Sequence, residues 1–181
     1  MKKTTFDADL YRYYGEKGES FRLRVFRPIE IKYIYALRKV QESKNSFTRM
    51  FYKLRLRYIS SKSHIQIPAK TKIGAGLFIV HTGRVIINEG ATLGKNATIS
   101  TGVTIGEENR GKRKGCPTIG DKCWIGTNAV IVGNIKIGND VLIAPLSFVN
   151  FDVPDHSIVI GNPAKIIHKE NATKFYVNKT V

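Results

Sequence analysis

From residue 67 onward the chain repeats every six residues. Ile67, Ile73 and Ile79, then Ile87, Leu93, Ile99 and Ile105, then Ile119, Ile125, Ile131, Ile137, Ile143 and Val149 mark thirteen hexads in phase, with two extra residues after Ile79 and a longer insertion after Ile105. Gly74, Gly94, Gly106, Gly120, Gly126 and Gly138 follow directly on the aliphatic position. Four places after most of these aliphatic residues stands a small or aliphatic one: Thr71, Ala91, Ala97, Val103, Cys123, Ala129, Ile135, Val141 or Ser147. A hexapeptide period is the signature of a parallel β-helix, in which glycine or a polar residue turns each corner and each rung buries its aliphatic plug against the next. Positions i and i+4 are expected to share the inward face of one short strand. Another short-strand β fold leaves thirteen hexads in phase unexplained.

Residues 1–66 have a different character. They hold 16 of the 30 Lys and Arg, 12 of the aromatic residues and only Pro28 of the six prolines, whereas most glycines come later. This part reads as helices. Pro28 is a favourable first-turn residue, and Ile29, Ile31, Tyr33, Ile34, Ala36 and Leu37 suit a helix that is mostly covered. Ser46 is the expected cap of a second helix. In it Phe47, Met50, Phe51, Leu54 and Tyr58 recur at three- and four-residue steps with Arg49, Lys53, Arg55 and Arg57 between them, a basic amphipathic pattern. Its basic face is either simply solvated or meets an acidic membrane or polyanion. The chain thus divides into a helical segment (1–66), a β-helix (67–166) and a tail (167–181).

The net charge is +16, of which +10 belongs to residues 1–66. An anionic partner is implied: coenzyme phosphates, an acidic membrane surface or nucleic acid. The concentration of charge in the helical segment and in one loop makes nucleic acid the least economical of the three. Cys116 and Cys123 lack both a disulfide framework and zinc-site spacing, so a reducing cytoplasm is expected. No apolar run has the length of a membrane span, and Met1-Lys2-Lys3 leads into no apolar leader segment.

The repeats, such as Ile125-Gly126-Thr127-Asn128-Ala129-Val130, resemble those of the hexapeptide-repeat acyltransferases. That resemblance implies a left-handed parallel β-helix with three hexads per turn, and a homotrimer with active sites between neighbouring chains. Over residues 64–168 the chain looks most like the serine acetyltransferase branch. The motifs are Ile73-Gly74-x-Gly76-Leu77, His81-x-Gly83 before Val85-Ile86, Gly102-Val103-Thr104-Ile105-Gly106, and Val153-Pro154-Asp155-His156-Ser157-Ile158-Val159-x-Gly161-Asn162-Pro163-Ala164-Lys165.

Acetyl transfer from a thioester to a hydroxyl needs a base, oxyanion donors and alignment of two substrates. Of the four histidines only His81 lies inside the repeat, beside the two-residue break. Imidazole is the side chain that titrates nearest neutrality, and His81 matches the family's catalytic histidine by position. His64, His156 and His168 are expected to be non-catalytic. By the same resemblance the residue that orients this histidine, an aspartate in the family, is here Gln66; Glu89 is a second candidate. The acid that holds the amino group of serine is replaced by Val80, and the Arg-His pair for its carboxylate by Gly115-Cys116. These departures point away from serine towards a sugar hydroxyl. They resemble the capsule and exopolysaccharide O-acetyltransferases, in which Cys-Pro before Ile-Gly, as in Cys116-Pro117-Thr118-Ile119-Gly120, is familiar.

The resemblance places acetyl-CoA along Gly106, Thr127, Ala144 and Pro145, with Lys165 towards the phosphoadenosine end and no metal. The inserted loop from Glu107 to Pro117 contributes Arg110, Lys112, Arg113 and Lys114 towards phosphates or an anionic acceptor. Cys116 as a nucleophile is disfavoured because direct transfer needs no acyl-enzyme, and Cys123 occupies an inward packing position. The expected reading is an acetyl-CoA-dependent O-acetyltransferase acting on a glycan, cytoplasmic or peripheral at the inner face of the membrane. Serine O-acetyltransferase and xenobiotic acetyltransferase, which shares Trp124-Ile125-Gly126, are the alternatives. A zinc carbonic anhydrase on the same fold needs three histidines from neighbouring rungs, and a non-enzymatic polyanion binder leaves the placement of His81 unexplained.

Overall fold

The structure, a computed structural model, describes residues 4–17 and 26–181; the Met1-Lys2-Lys3 start on which the leader reading partly rests lies outside the described residues. Among the described residues three α-helices, α1 (Thr5–Tyr14), α2 (Ile29–Glu42) and α3 (Ser46–Ser63), precede fifteen short strands. The chain then winds as a parallel β-solenoid with three faces. Face A stacks β1 (Ile65–Gln66), β4 (Val85–Ile87), β7 (Thr104–Gly106), β10 (Val130–Val132) and β13 (Phe148–Val149). Face B stacks β2 (Lys72–Ile73), β5 (Thr92–Leu93), β8 (Thr118–Ile119) and β11 (Lys136–Ile137). Face C stacks β3 (Phe78–Ile79), β6 (Thr98–Ile99), β9 (Trp124–Ile125), β12 (Val141–Ile143) and β14 (Ser157–Gly161), to which β15 (Ala164–His168) adds antiparallel.

The six-residue period becomes an eighteen-residue turn, since Ile86 pairs with Thr104 and Val130 with Phe148. Pairs spanning the first insertion lie twenty residues apart (Lys72 with Thr92), and those spanning the second lie twenty-six apart (Thr92 with Thr118). Both insertions are therefore absorbed at corners, and the ladder stays in register on either side.

Every aliphatic plug from Ile67 to Val149 is buried except the half-buried Ile73, and the residues at Thr71, Ala91, Ala97, Val103, Cys123, Ala129, Ile135, Val141 and Ser147 are buried as well. Each such side chain contributes roughly 1.5–3 kcal/mol when it is a full aliphatic. One detail differs from expectation. The strands are only two to five residues long, so positions i and i+4 flank a corner and point inward from adjacent faces instead of sharing one strand. The glycines after the plugs are required by close approach: a Cβ on Gly94 would stand 2.6 Å from the carbonyl carbon of Gly120, and one on Gly120 2.7 Å from the oxygen of Gly138. Between faces B and C, side-chain oxygens tie successive turns. Asp121 accepts from the Lys95 amide (2.7 Å), Asn139 from that of Asp121 (2.8 Å) and Asp155 from that of Asn139 (2.8 Å).

The helices cover the open end and side of the first turn. Helix α1 begins with a capping box between Thr4 and Asp7, and α2 buries Ile31, Tyr33, Ile34, Ala36 and Leu37 as expected. An almost fully buried pair joins both to the solenoid. Arg38 donates from Nε and Nη2 to the two oxygens of Asp9 (2.8 and 3.1 Å), and also to the carbonyls of Ile73 and Gly74. Asp9 Oδ1 in turn accepts from the amides of Gly76 and Leu77. Burial pushes the Asp9 carboxyl up, while Arg38 and the two amides pull it back; four donors converging on two oxygens satisfy only the ionised form. Helix α3 differs from expectation at its start. Its cap is Asn45, which accepts from Phe47 and Thr48, not Ser46. The side it buries carries Leu56, Ile59 and Ser63, so the row from Phe47 to Tyr58 faces outward.

After β15 the tail turns back along face C. Asp140 accepts from the amides of Ala172 and Thr173, from the Thr173 hydroxyl and from His156. Tyr176 packs on Trp124 at 4.9 Å between ring centroids, and Asn96 exchanges two hydrogen bonds with the backbone of Val181. Among the described residues no helix is long and apolar enough to cross a membrane.

Arg38→Ala is expected to lower stability by about 3–5 kcal/mol, because it strands the Asp9 carboxylate in the interior; chemical unfolding of the variant against the wild type measures this. The tail has its own pH window. Burial alone would raise the Asp140 carboxyl, yet the hydrogen bonds from Thr173, His156 and Ala172 hold it below the usual range, and the Asp140 bond raises His156. The Asp140 contribution is present above about pH 4 and lost as pH falls through its lowered value, whereas the His156 contribution is present below about pH 6.5 and lost as pH rises through its raised value. Amide exchange at Ala172 and Thr173, corrected for intrinsic rate, is accordingly expected to be slowest between those limits.

Candidate active site

Between faces C and A the corners stack in a column. The Gly102 amide donates to the Arg84 carbonyl, Asn128 to Thr101 and Leu146 to Thr127, so Gly83, Thr101, Thr127 and Pro145 lie in successive turns. The lowest corner carries the two extra residues. Where the next turn passes from Ile99 to Ile105 in six residues, this one takes eight from Ile79 to Ile87, and the surplus bulges outward with His81 exposed at its crest. The bulge is held from both sides. Thr82 donates to Glu30 of α2 at 3.4 Å, and Gly83, at φ +146°, lies so close to Thr101 that a Cβ there would overlap its hydroxyl.

The second insertion leaves the solenoid between faces A and B. Glu108 and Gly115 exchange two backbone hydrogen bonds of 2.9 Å, a short 3-10 turn at Gly111–Arg113 forms the tip, and the Arg113 carbonyl accepts from Asn134 of the turn above. Arg110, Lys112, Arg113 and Lys114 are all exposed. At its base Cys116 donates to Asn88 Oδ1 at 3.3 Å. Burial and then the negative charge of Glu107 push its thiol pKa up, the opposite of what a nucleophile requires. Cys123 is fully buried and its thiol is pushed up to about 12, in keeping with a packing role.

The residues singled out from the sequence thus fall at several places. Val80, His81, Thr127, Ala144 and Pro145 belong to the corner between faces C and A. Gly106 and Cys116 lie at the opposite edge of face A, whereas Lys165 lies on the β14–β15 hairpin of face C, whose tip is tied to the C–A corner by the Gly161 amide donating to Ser147. Gln66 is exposed on β1 beside Ile86, and among the described residues no hydrogen bond joins it to His81. Glu89 sits at the corner between faces A and B, 4.0 Å from Lys70, so face A separates it from His81. The other histidines have positions of their own: His64 ends α3 in the left-handed conformation, His156 binds Asp140, and His168 is exposed beside Glu170. Among the described residues no three His, Cys, Asp or Glu side chains converge as metal ligands do. Glu30, which sequence reasoning passed over, is brought to the bulge by α2; no local signal marks it.

Two family models match the repeats: "Bacterial transferase hexapeptide (six repeats)" over residues 116–150 and "Hexapeptide repeat of succinyl-transferase" over residues 84–108. The serine acetyltransferase of Staphylococcus aureus (strain Mu50 / ATCC 700699) is 42% identical over 106 residues, which is 59% of this chain and 50% of that protein. Serine acetyltransferase 4 of Arabidopsis thaliana is 40% identical over 109 residues, 60% of this chain and 31% of its own length. The chain therefore spans half or less of these two relatives. Among solved structures, Neisseria gonorrhoeae serine acetyltransferase in complex with serine superposes with a TM-score of 0.73 at 31% identity, covering 90% of this chain and 67% of that one. Serine acetyltransferase from Brucella abortus strain S19 in complex with coenzyme A gives a TM-score of 0.73 at 28% identity, covering 91% and 67%. The chain belongs to the hexapeptide-repeat acyltransferases, in their serine acetyltransferase branch.

The expectation of a sugar acceptor in polysaccharide synthesis is corrected by these relatives, which are serine acetyltransferases, one of them holding serine. That expectation rested on the charge lost at Val80 and Gly115-Cys116, positions that stand at opposite edges of face A within a single chain.

Gly83→Ala combines a strained φ with an overlap against Thr101. It is expected to cost about 1–3 kcal/mol and to displace His81; thermal unfolding should show the first, and a fall in turnover larger than the stability loss explains should show the second.

Proposed function

We propose that this chain transfers acetyl from acetyl-CoA to the hydroxyl of L-serine. The observation that carries the reading is the bulged corner that lifts His81 to the rim of the solenoid, in a chain whose relatives are serine acetyltransferases. His81 takes the proton of the serine hydroxyl as the oxygen attacks the thioester carbonyl carbon. Backbone N–H groups of the corner stabilise the oxyanion. Collapse of the tetrahedral adduct breaks the C–S bond, and the coenzyme thiolate takes the proton back from the imidazolium. Gln66, on the sheet's first strand, is the residue whose amide oxygen would reach the imidazole N–H once substrates are bound.

 

In that role Gln66 supplies a neutral acceptor, which steadies one tautomer of His81 without adding charge.

Thr127, Ala144 and Pro145, stacked above the bulge, offer the pantetheine arm a path along the corner. The cations of the loop, together with Lys165 on the β14–β15 hairpin, are the groups suited to the coenzyme phosphates. Because the loop and His81 occupy opposite edges of face A, one copy's loop meets His81 only from a neighbouring chain. A homotrimer closed over face A provides that arrangement. Its outward row of Ile86, Val130, Val132 and Phe148 is apolar and half-buried, which supports such packing. With Val80 offering no charge, the exposed Glu107 at the base of the loop is the carboxylate available to the serine ammonium.

Thiol release from acetyl-CoA in the presence of L-serine tests the reading; no release above the acceptor-free rate would refute it. His81→Gln is expected to lower kcat by about 10²–10⁴-fold with little change in KM for acetyl-CoA. Replacing Lys112, Arg113 and Lys114 by Gln is expected to raise KM for acetyl-CoA several-fold and leave that for serine nearly unchanged.

A further inference from the structure

We infer that α3 is a fixed interfacial helix that seats this protein on an anionic lipid surface. Its outer face carries Phe47, Met50, Phe51, Leu54 and Tyr58, between 54% and 83% exposed, and among the described residues nothing covers them. At roughly 100° per residue these five side chains fall within a stripe about 100° wide and about 16 Å long. By the same spacing Lys53 and Arg57 flank the stripe on one side, and Arg55 and Lys62 flank it on the other. An apolar centre with cations on both flanks matches the depth profile of a bilayer surface: rings and aliphatics enter the acyl boundary while Lys and Arg reach up to phosphates.

The stripe has no inward alternative. The opposite side of α3 is already committed, with Leu56, Ile59 and Ser63 buried and the Tyr52 hydroxyl 3.4 Å from that of Tyr35 on α2. The charge pattern selects the partner. Residues 43–63 contain six Lys and Arg and no Asp or Glu, so pairing this face with its own copy about a twofold axis would set cations against cations. An anionic lipid surface supplies the complementary charge along the whole length.

The test uses the full chain and cosedimentation with vesicles of phosphatidylcholine, either pure or carrying about 30% phosphatidylglycerol. Binding to the anionic vesicles alone is expected. Phe51→Ser with Leu54→Ser should weaken it at least tenfold. Lys53→Gln with Arg57→Gln should weaken it by about twenty-five-fold, at about fivefold per cation, and added salt should also weaken binding of the wild type. All four positions are exposed, so circular dichroism and acetyl transfer are expected to stay at wild-type levels. Three results would overturn the inference. The first is no binding to anionic vesicles. The second is a fall in assembly mass by sedimentation when Phe51 and Leu54 are replaced in the absence of lipid, which would assign the stripe to a second copy. The third is binding to both vesicles and soluble polyphosphate that depends on Lys53 and Arg57 but not on Phe51 and Leu54, which would assign the face to a polyanion.

Discussion

The backbone ladder between successive turns governs this molecule. With neighbouring strands held at about 4.8 Å, the glycines at Gly94 and Gly120 have no room for a Cβ, and each aliphatic plug has one permitted place above the last. Extra residues cannot enter a rung without breaking pairing above and below it. They enter only at corners, and the chain has two such insertions: the bulge at His81 and the loop from Glu107 to Pro117. The chemistry stands where the ladder tolerates surplus chain. This gives the site a rigid base, since the bulge rests on Thr101 and the loop hairpin is tied to Asn134.

Electrostatics is distributed along the same logic. The buried Asp9–Arg38 pair joins two helices to the first turn through backbone groups of Ile73, Gly74, Gly76 and Leu77. These charges are structural. Among the exposed cations two groups stand out, the loop tip and the flanks of α3, and residues 43–63 carry no Asp or Glu. Part of the net charge of +16 is thus carried on two separate surfaces with different geometries.

The solenoid was legible because its period is set by inward packing, and inward packing is written directly in residue size: twelve of the thirteen aliphatic positions are buried. Helix α2 was legible for the same reason. Helix α3 was legible as an element but not in its orientation, since the periodic apolar row from Phe47 to Tyr58 marks its outer face while only Leu56, Ile59 and Ser63 turn inward. Periodicity reports that a stripe exists and is silent on which stripe the rest of the chain covers. The raised thiol pKa of Cys116 agrees with the reading that disfavoured it as a nucleophile, but its cause, burial and then Glu107, was not visible in the sequence. The acceptor was misread because the missing charges at Val80 and Gly115-Cys116 were taken to exclude serine, whereas the relatives of this chain are serine acetyltransferases.

The tail bears on how such a stack unfolds. A solenoid whose turns touch only their neighbours loses its end turns one at a time, as a zipper frays. Here the segment after β15 runs back across face C, fixed at Asp140, Trp124 and Asn96, and Lys179 reaches the Tyr13 carbonyl on α1. Contacts that skip from late turns to early ones make the last rung's departure conditional on releasing the first. The strap thereby turns a one-dimensional array into a body whose two ends melt together.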